Sequence, residues 1–117
     1  MLLRTKYGAD WVLPGGGCKR RETPIDACLR EVREETGIRL DKKHLALKGI
    51  YLSEREYKRD IVFLFGAELP MWPAIKPGLE ISQVRYVELE EAKQIASPAT
   101  RRRLEELQGY RVSTFEW

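Results

Sequence analysis

The chain is poor in the residues that build zinc sites and disulfide scaffolds: its 117 residues include one histidine and two cysteines, and no asparagine. One imidazole and two thiols give no zinc-site spacing. Cys18 and Cys28 are the only cysteines, and a reduced, cytoplasmic protein is the simplest reading of so few. No apolar run approaches the roughly 20 residues that a membrane-spanning helix needs, and no signal peptide precedes the first expected strand. Repeats, low-complexity segments and interdomain linkers are missing too. The net charge of +3 is too small to imply nucleic-acid binding, though it suits an anionic substrate. Without asparagine, one amide that both donates and accepts hydrogen bonds is lost to ligand recognition.

What is present is ordinary in bulk. Hydrophobic residues make up 43% and charged residues 33%, as in soluble globular proteins. The length is that of one domain, residues 1–117, large enough for a real core.

The informative stretch is residues 16–38, GGCKRRETPIDACLREVREETGI. Thr23 is placed to cap a helix, Pro24 falls where the first turn tolerates a missing N–H, and Asp26 follows at capping-box spacing. Gly37 supplies a left-handed residue to end it. At about 100° per residue, Ile25, Leu29, Val32 and Thr36 share one sector. Glu31, Glu34 and Glu35 share another, centred about 145° away. Arg30 and Glu34 are spaced to pair at i,i+4. Three carboxylates within one turn repel one another unless something positive sits between them. The bland account is a solvated charged face. Against it stands the loop just before, Leu13-Pro14-Gly15-Gly16-Gly17, whose backbone can approach a ligand closely. The helix N-terminus adds its own positive end. Together these favour a ligand site.

The order Gly16, five residues, Glu22, seven residues, Arg30-Glu31-Val32, one residue, Glu34-Glu35, one residue, Gly37-Ile38 is a complete Nudix box. A match this full arises by chance in about one random chain in 10⁷. The chain therefore resembles the Nudix (MutT-like) hydrolases. That resemblance implies an α/β/α sandwich with a mixed β-sheet between the box helix and the C-terminal helices. It implies hydrolysis of a nucleoside diphosphate linked to another group, by water attacking phosphorus, with Mg²⁺ or Mn²⁺ as cofactor. All-oxygen ligands suit those ions. By the same resemblance Glu31, Glu34 and Glu35 hold the metal, with the carbonyl of Gly15 as a further ligand. Glu31 or Glu34 is the expected general base, with Glu80 the candidate from outside the helix. Glu22 and Arg30 are expected to hold loop and helix in register behind the ligands. A nucleotide-sensing Nudix-fold module without turnover is the competing reading. Such modules usually lose box glutamates, and all are kept here.

Residues 1–5, MLLRT, read as a strand already in progress, whereas Nudix domains usually carry one sheet strand earlier. The expectation is either that the chain starts inside a longer protein, or that a bare sheet edge beside residues 1–5 is covered by a partner, such as a second copy. Trp11 reads as packing under the glycine loop. His44, at a strand entrance, reads as a surface or capping residue. Residues 45–52 form an expected strand with Gly49 as a bulge, residues 53–59 a charged turn, and residues 60–68 the most apolar and central strand. Residues 69–78 hold three prolines and read as a loop. Residues 89–95 and a second run opened by Ser97-Pro98 read as helices. Arg101, Arg102 and Arg103, facing Glu105 and Glu106, read as a solvated ion-paired face. Residues 110–117 are either a terminal strand or loose.

Substrate selectivity must come from outside the box. Oxidised-guanine sanitising enzymes often read the base with an asparagine, which this chain lacks. The proline cue of ADP-ribose hydrolases is replaced by Leu52-Ser53-Glu54, and Tyr57 sits near, without matching, the tyrosine of diadenosine polyphosphate hydrolases. Trp72 and Tyr57 remain as aromatic surfaces on which any base can stack. The expected substrate is a nucleotide, taken with little discrimination.

Overall fold

The computed structural model describes residues 1–55 and 57–117. Strand β1 (Leu2–Thr5) pairs antiparallel with β4 (Ile81–Arg85), from Leu2 opposite Arg85 to Thr5 opposite Ile81. Its other side is also taken. The Leu3 N–H donates to Val12 O at 2.9 Å, and the Val12 N–H returns to Leu3 O at 2.8 Å. Trp11 in turn bridges Ala96 in the parallel sense. The bare edge expected beside residues 1–5 is therefore not there, because the Trp11-Val12 segment folds back and occupies it. Leu2 and Leu3 are fully buried, and Leu2 joins Ala92, Ala96 and Leu104 in the core, with Trp11, Leu13, Val87 and Ile95 packed around them. Trp11 thus packs on this core, with Arg4 and Arg85 over its ring.

The second ladder is the hairpin of β2 (Leu45–Arg55) and β3 (Lys58–Ala67). Its register shifts between Leu47 and Gly49, which is the expected bulge. The strands run further than the sequence suggested, so residues 53–55 and 58–59 belong to the ladder, while residue 56 of the expected turn lies outside the described residues. Both ladders are antiparallel. Parallel pairing enters at isolated bridges, Trp11 to Ala96 and Leu52 to Glu116. The latter shows that the C-terminus is not loose: the Leu52 N–H donates to Phe115 O and the Trp117 N–H to Leu52 O, each at 2.8 Å.

Strand β3 is not central. Among the described residues it pairs with β2 alone, and Ile61 and Phe63 are left exposed beside Leu47 and Ile50. Its apolar run reads as a buried strand, but hydropathy cannot say which neighbours the chain supplies.

Helix α1 (Pro24–Thr36) begins and ends at the expected caps. The Thr23 Oγ1 accepts from the Asp26 N–H at 3.2 Å, and Gly37 closes the helix at φ 73°. A short 3-10 turn, Lys42–His44, precedes β2, and His44 Nδ1 accepts the Asp41 N–H at 3.0 Å, the capping role expected of it. Helices α2 (Leu89–Ile95) and α3 (Pro98–Leu107) lie against each other, and Ser97 caps α3 through the Thr100 N–H. No described helix is long and apolar enough to cross a membrane.

One arginine of α3 departs from the solvated reading. Arg103 is 1% exposed, with its guanidinium against both rings of the edge-to-face pair Tyr51 (4.5 Å) and Trp117 (4.9 Å). It is paired with Glu106 at 3.1 Å, and it donates to the carbonyls of Glu116 and Trp117. A planar, weakly hydrated cation tolerates this position because aromatic faces and carbonyls replace its water. Burial holds its pKa below the usual arginine value, while Glu106 works against the shift.

Candidate active site

Helix α1 presents its glutamates toward the glycine loop, and a single guanidinium ties the two together. Arg30 Nε and Nη2 grip Glu22 at 2.7 and 2.9 Å, and Nη2 also donates to Gly17 O at 2.9 Å. Its Nη1 donates to Glu31 at 2.8 Å and Glu34 at 3.2 Å. An arginine has five N–H donors, and here each has an acceptor. The Lys19 N–H adds a further bond to Glu22 at 2.7 Å. Arg30, and then that amide, hold Glu22 well below the usual carboxylate range, at about 2.

Glu35 lies in a different environment. Its Oε1 accepts the Gly15 N–H at 2.8 Å, and Arg30 does not reach it. Burial pushes its pKa up to about 7; the Gly15 amide opposes this, while the charges of Glu31, Glu34 and Glu80 add to it. Glu80 lies in the turn before β4, and its charge is among those that bear on Glu35.

The glycines differ in what they do. A Cβ on Gly16 would lie 2.5 Å from the Glu31 carboxylate, which would have to swing away from its place beside the loop, whereas at Gly15 a Cβ would meet nothing within 4 Å. The missed residue is Gly78, on which the Glu80 turn rests against α1. The Pro77-Gly78 dipeptide marks a turn in the sequence, but says nothing of what the turn touches.

Among the described residues no three His, Cys, Asp or Glu side chains are already gathered as a metal cage. One oxygen each of Glu31 and Glu34 is turned to Arg30, and one oxygen of Glu35 to Gly15. The donor set nevertheless fits a hard divalent cation. It is all oxygen, and the repulsion at Glu35 has no cation of its own to offset it.

The two aromatic candidates are placed differently. Trp72 stacks on Tyr86 with centroids 4.7 Å apart and remains 70% exposed, while the Tyr86 hydroxyl donates to Pro73 O at 2.7 Å. Tyr57 is fully exposed at the β2–β3 turn, beside Glu54, Arg55, Lys58 and Arg59. No hydrogen bond or ring contact among the described residues joins either aromatic to the box glutamates.

An α/β fold with a glycine loop, a capped acidic helix and a framework arginine defines a Nudix-type site. The NUDIX domain matches residues 1–107, and the chain belongs to that family. It is 31% identical over 86 residues to an RNA pyrophosphohydrolase of Bartonella henselae, covering 69% of this chain and 49% of that protein. It is 33% identical over 64 residues to diphosphoinositol polyphosphate phosphohydrolase 2 of Mus musculus, covering 55% of this chain and 35% of that one. The chain thus spans half or less of the length of these curated relatives. Among solved structures it is similar to the MutT protein of Methanosarcina mazei, with a TM-score of 0.79 and 25% identity over 93% of this chain and 82% of that one. A C. elegans Ap4A hydrolase complex shares the fold, with a TM-score of 0.70 and 24% identity over the same shares.

Proposed function

We propose that this chain is a Mg²⁺- or Mn²⁺-dependent hydrolase of the diphosphate linkage in nucleoside diphosphate derivatives. The observation that carries the reading is the acidic helix face beside the glycine loop: Glu35 accepts the Gly15 N–H, Glu31 lies against Gly16, and the guanidinium of Arg30 is fully used by Glu22, Glu31, Glu34 and Gly17. Glu31, Glu34, Glu35 and the Gly15 carbonyl would hold the cation. When bound, it neutralises phosphate charge and makes the attacking water more acidic. Glu31 or Glu34 would take the proton from that water, with Glu80 as the candidate base from outside the helix. Arg30 and Glu22 keep loop and helix in register, so that ligand positions do not drift during turnover.

The relatives are named for different substrates, an RNA and a diphosphoinositol polyphosphate, which have a phosphoric anhydride in common. This supports a reading in which the box recognises the anhydride and the rest of the substrate is chosen weakly. Trp72 offers an exposed ring for a base, and Tyr57 another. Such stacking discriminates little between bases.

The test is hydrolysis, read by separating the phosphorylated products, of nucleoside triphosphates, ADP-ribose, dinucleoside polyphosphates, a diphosphoinositol polyphosphate and an RNA bearing a 5′ pyrophosphate. Each is assayed with Mg²⁺ and with Mn²⁺. Hydrolysis that needs metal is the expected result. Binding without hydrolysis would leave a nucleotide-sensing module instead. A preference above about a hundredfold, as a dedicated polar contact gives, would refute the broad selectivity.

A further inference from the structure

Between β3 and β4 the chain crosses the end of α1 and is fastened to it through backbone alone. The Lys76 N–H donates to Thr36 O at 2.8 Å, and the Gly78 N–H to Glu35 O at 3.0 Å. Both acceptors belong to the last turn of α1, whose carbonyls lack donors within the helix. The Gly78 carbonyl then accepts the Ile81 N–H at 3.1 Å, closing a turn with Leu79 and Glu80 at its centre. The Glu80 carbonyl accepts the Lys6 N–H at 2.9 Å. Glu80 is therefore pinned on both sides, by the end of the box helix and by the segment after β1.

Two glycines make this approach possible. A Cβ on Gly78 would overlap the Glu34 carbonyl oxygen. A Cβ on Gly37 would fall 2.9 Å from the Lys76 Cβ and 3.0 Å from its carbonyl oxygen. Gly37 also needs its left-handed φ of 73°, as helix-ending glycines commonly do. Gly78 has no such need, since its φ is not in the left-handed region. Space alone demands glycine there. The space in question separates the backbone of two ligand-bearing residues from the turn that carries Glu80.

We infer that Gly78 is a positioning residue for Glu80: it lets the β3–β4 loop lie directly on the last turn of α1, which delivers the Glu80 carboxylate to the face holding Glu31, Glu34 and Glu35. The inference rests on the hydrolase reading above. A methyl group at 78 separates loop from helix. Glu80 then leaves the cluster while the box itself stays intact.

The experiment compares Gly78→Ala, Glu80→Gln and the double variant, with amide hydrogen exchange on the metal-free proteins beside steady-state kinetics. Misplacing a reacting group by about 1 Å can cost about 10²-fold. Gly78→Ala should lose kcat on that scale with KM little changed. Glu80→Gln should match it, and the double variant should be no worse than either. The Lys76 and Gly78 amides should exchange slowly in the wild type and in Glu80→Gln, and fast in Gly78→Ala. Should Gly78→Ala fail to fold, Lys76→Pro removes the other loop donor without adding a group at 78, and should lower kcat in the same way. Retained kcat in Gly78→Ala, additive losses in the double variant, or fast exchange of both amides in the wild type would overturn the inference. A wild type without turnover would remove the hydrolase reading. The claim about Glu80's placement would then be decided by the exchange data alone.

Discussion

The Gly15 amide and the Glu35 carboxylate meet across 2.8 Å, joining the glycine loop to the last turn of the box helix. This bond is the one contact that draws Glu35 toward the anionic form, and it works against burial and three neighbouring carboxylates.

Glu35→Gln keeps the volume and still offers Gly15 a carbonyl oxygen, but removes one charge from the cluster. Turnover should fall by orders of magnitude while the thermal midpoint holds or rises, because a repelled buried charge has gone. Parallel kcat and melting measurements check this, and full activity in the variant would remove Glu35 from the metal site.

Metal dependence follows from the same cluster. EDTA should abolish turnover, and Mg²⁺ should restore it. Mg²⁺ at about 100 times its Kd should stabilise the wild type by about 2.7 kcal/mol. Glu35→Gln should show a much smaller shift in differential scanning fluorimetry, and an equal shift in both proteins would place the cation elsewhere.

Glu22 makes an acid-stability prediction. Its pKa lies at about 2 in the folded chain, below the ordinary 4.5. Its stabilising contribution is therefore complete above about 4.5, declines as pH falls, and is gone below about 2. Urea melts of Glu22→Gln should show lower stability than the wild type at neutral pH, with the two curves converging as acid is added. A constant gap across that window would disprove the assignment.

Arg30→Lys should behave almost as badly as Arg30→Ala. A lysine has three donors radiating from one nitrogen and no fork. It cannot grip Glu22 with two bonds and still reach Gly17, Glu31 and Glu34. The expected result is a lower melting temperature and lower kcat in both variants, measured side by side. Full rescue by lysine would mean that charge alone matters.

Away from the site, Arg103→Ala should destabilise the fold by about 3–5 kcal/mol, because Glu106 would be left buried without its partner. Chemical denaturation measures the loss. A cost below about 1 kcal/mol, typical of exposed pairs, would show that the aromatic enclosure is looser than the structure has it.

Much of this was legible in the sequence, and the boundary is physical. The ends of α1, the start of α3, the Gly49 bulge and the capping role of His44 are local matters, decided by residues within four positions of each other. The box pattern likewise places its glutamates on one helix. The exposure of β3 and the burial of Arg103 are not local. Arg103 is enclosed by Tyr51 and Trp117, residues far away along the chain in both directions, and no spacing rule connects them. Gly78 was invisible for the same reason. Its neighbour is a helix carbonyl more than forty residues earlier, and only the folded backbone shows that they touch.

Arg30 has a consequence of a different kind. With every donor committed inside the protein, it is a counter-ion that travels with the chain. The box carboxylates Glu31 and Glu34 thus have a cation before any metal arrives, and the glycine loop is already tied down. A divalent cation held by Glu31 and Glu34, as proposed, would then exchange one counter-ion for another, with Glu22 keeping the guanidinium.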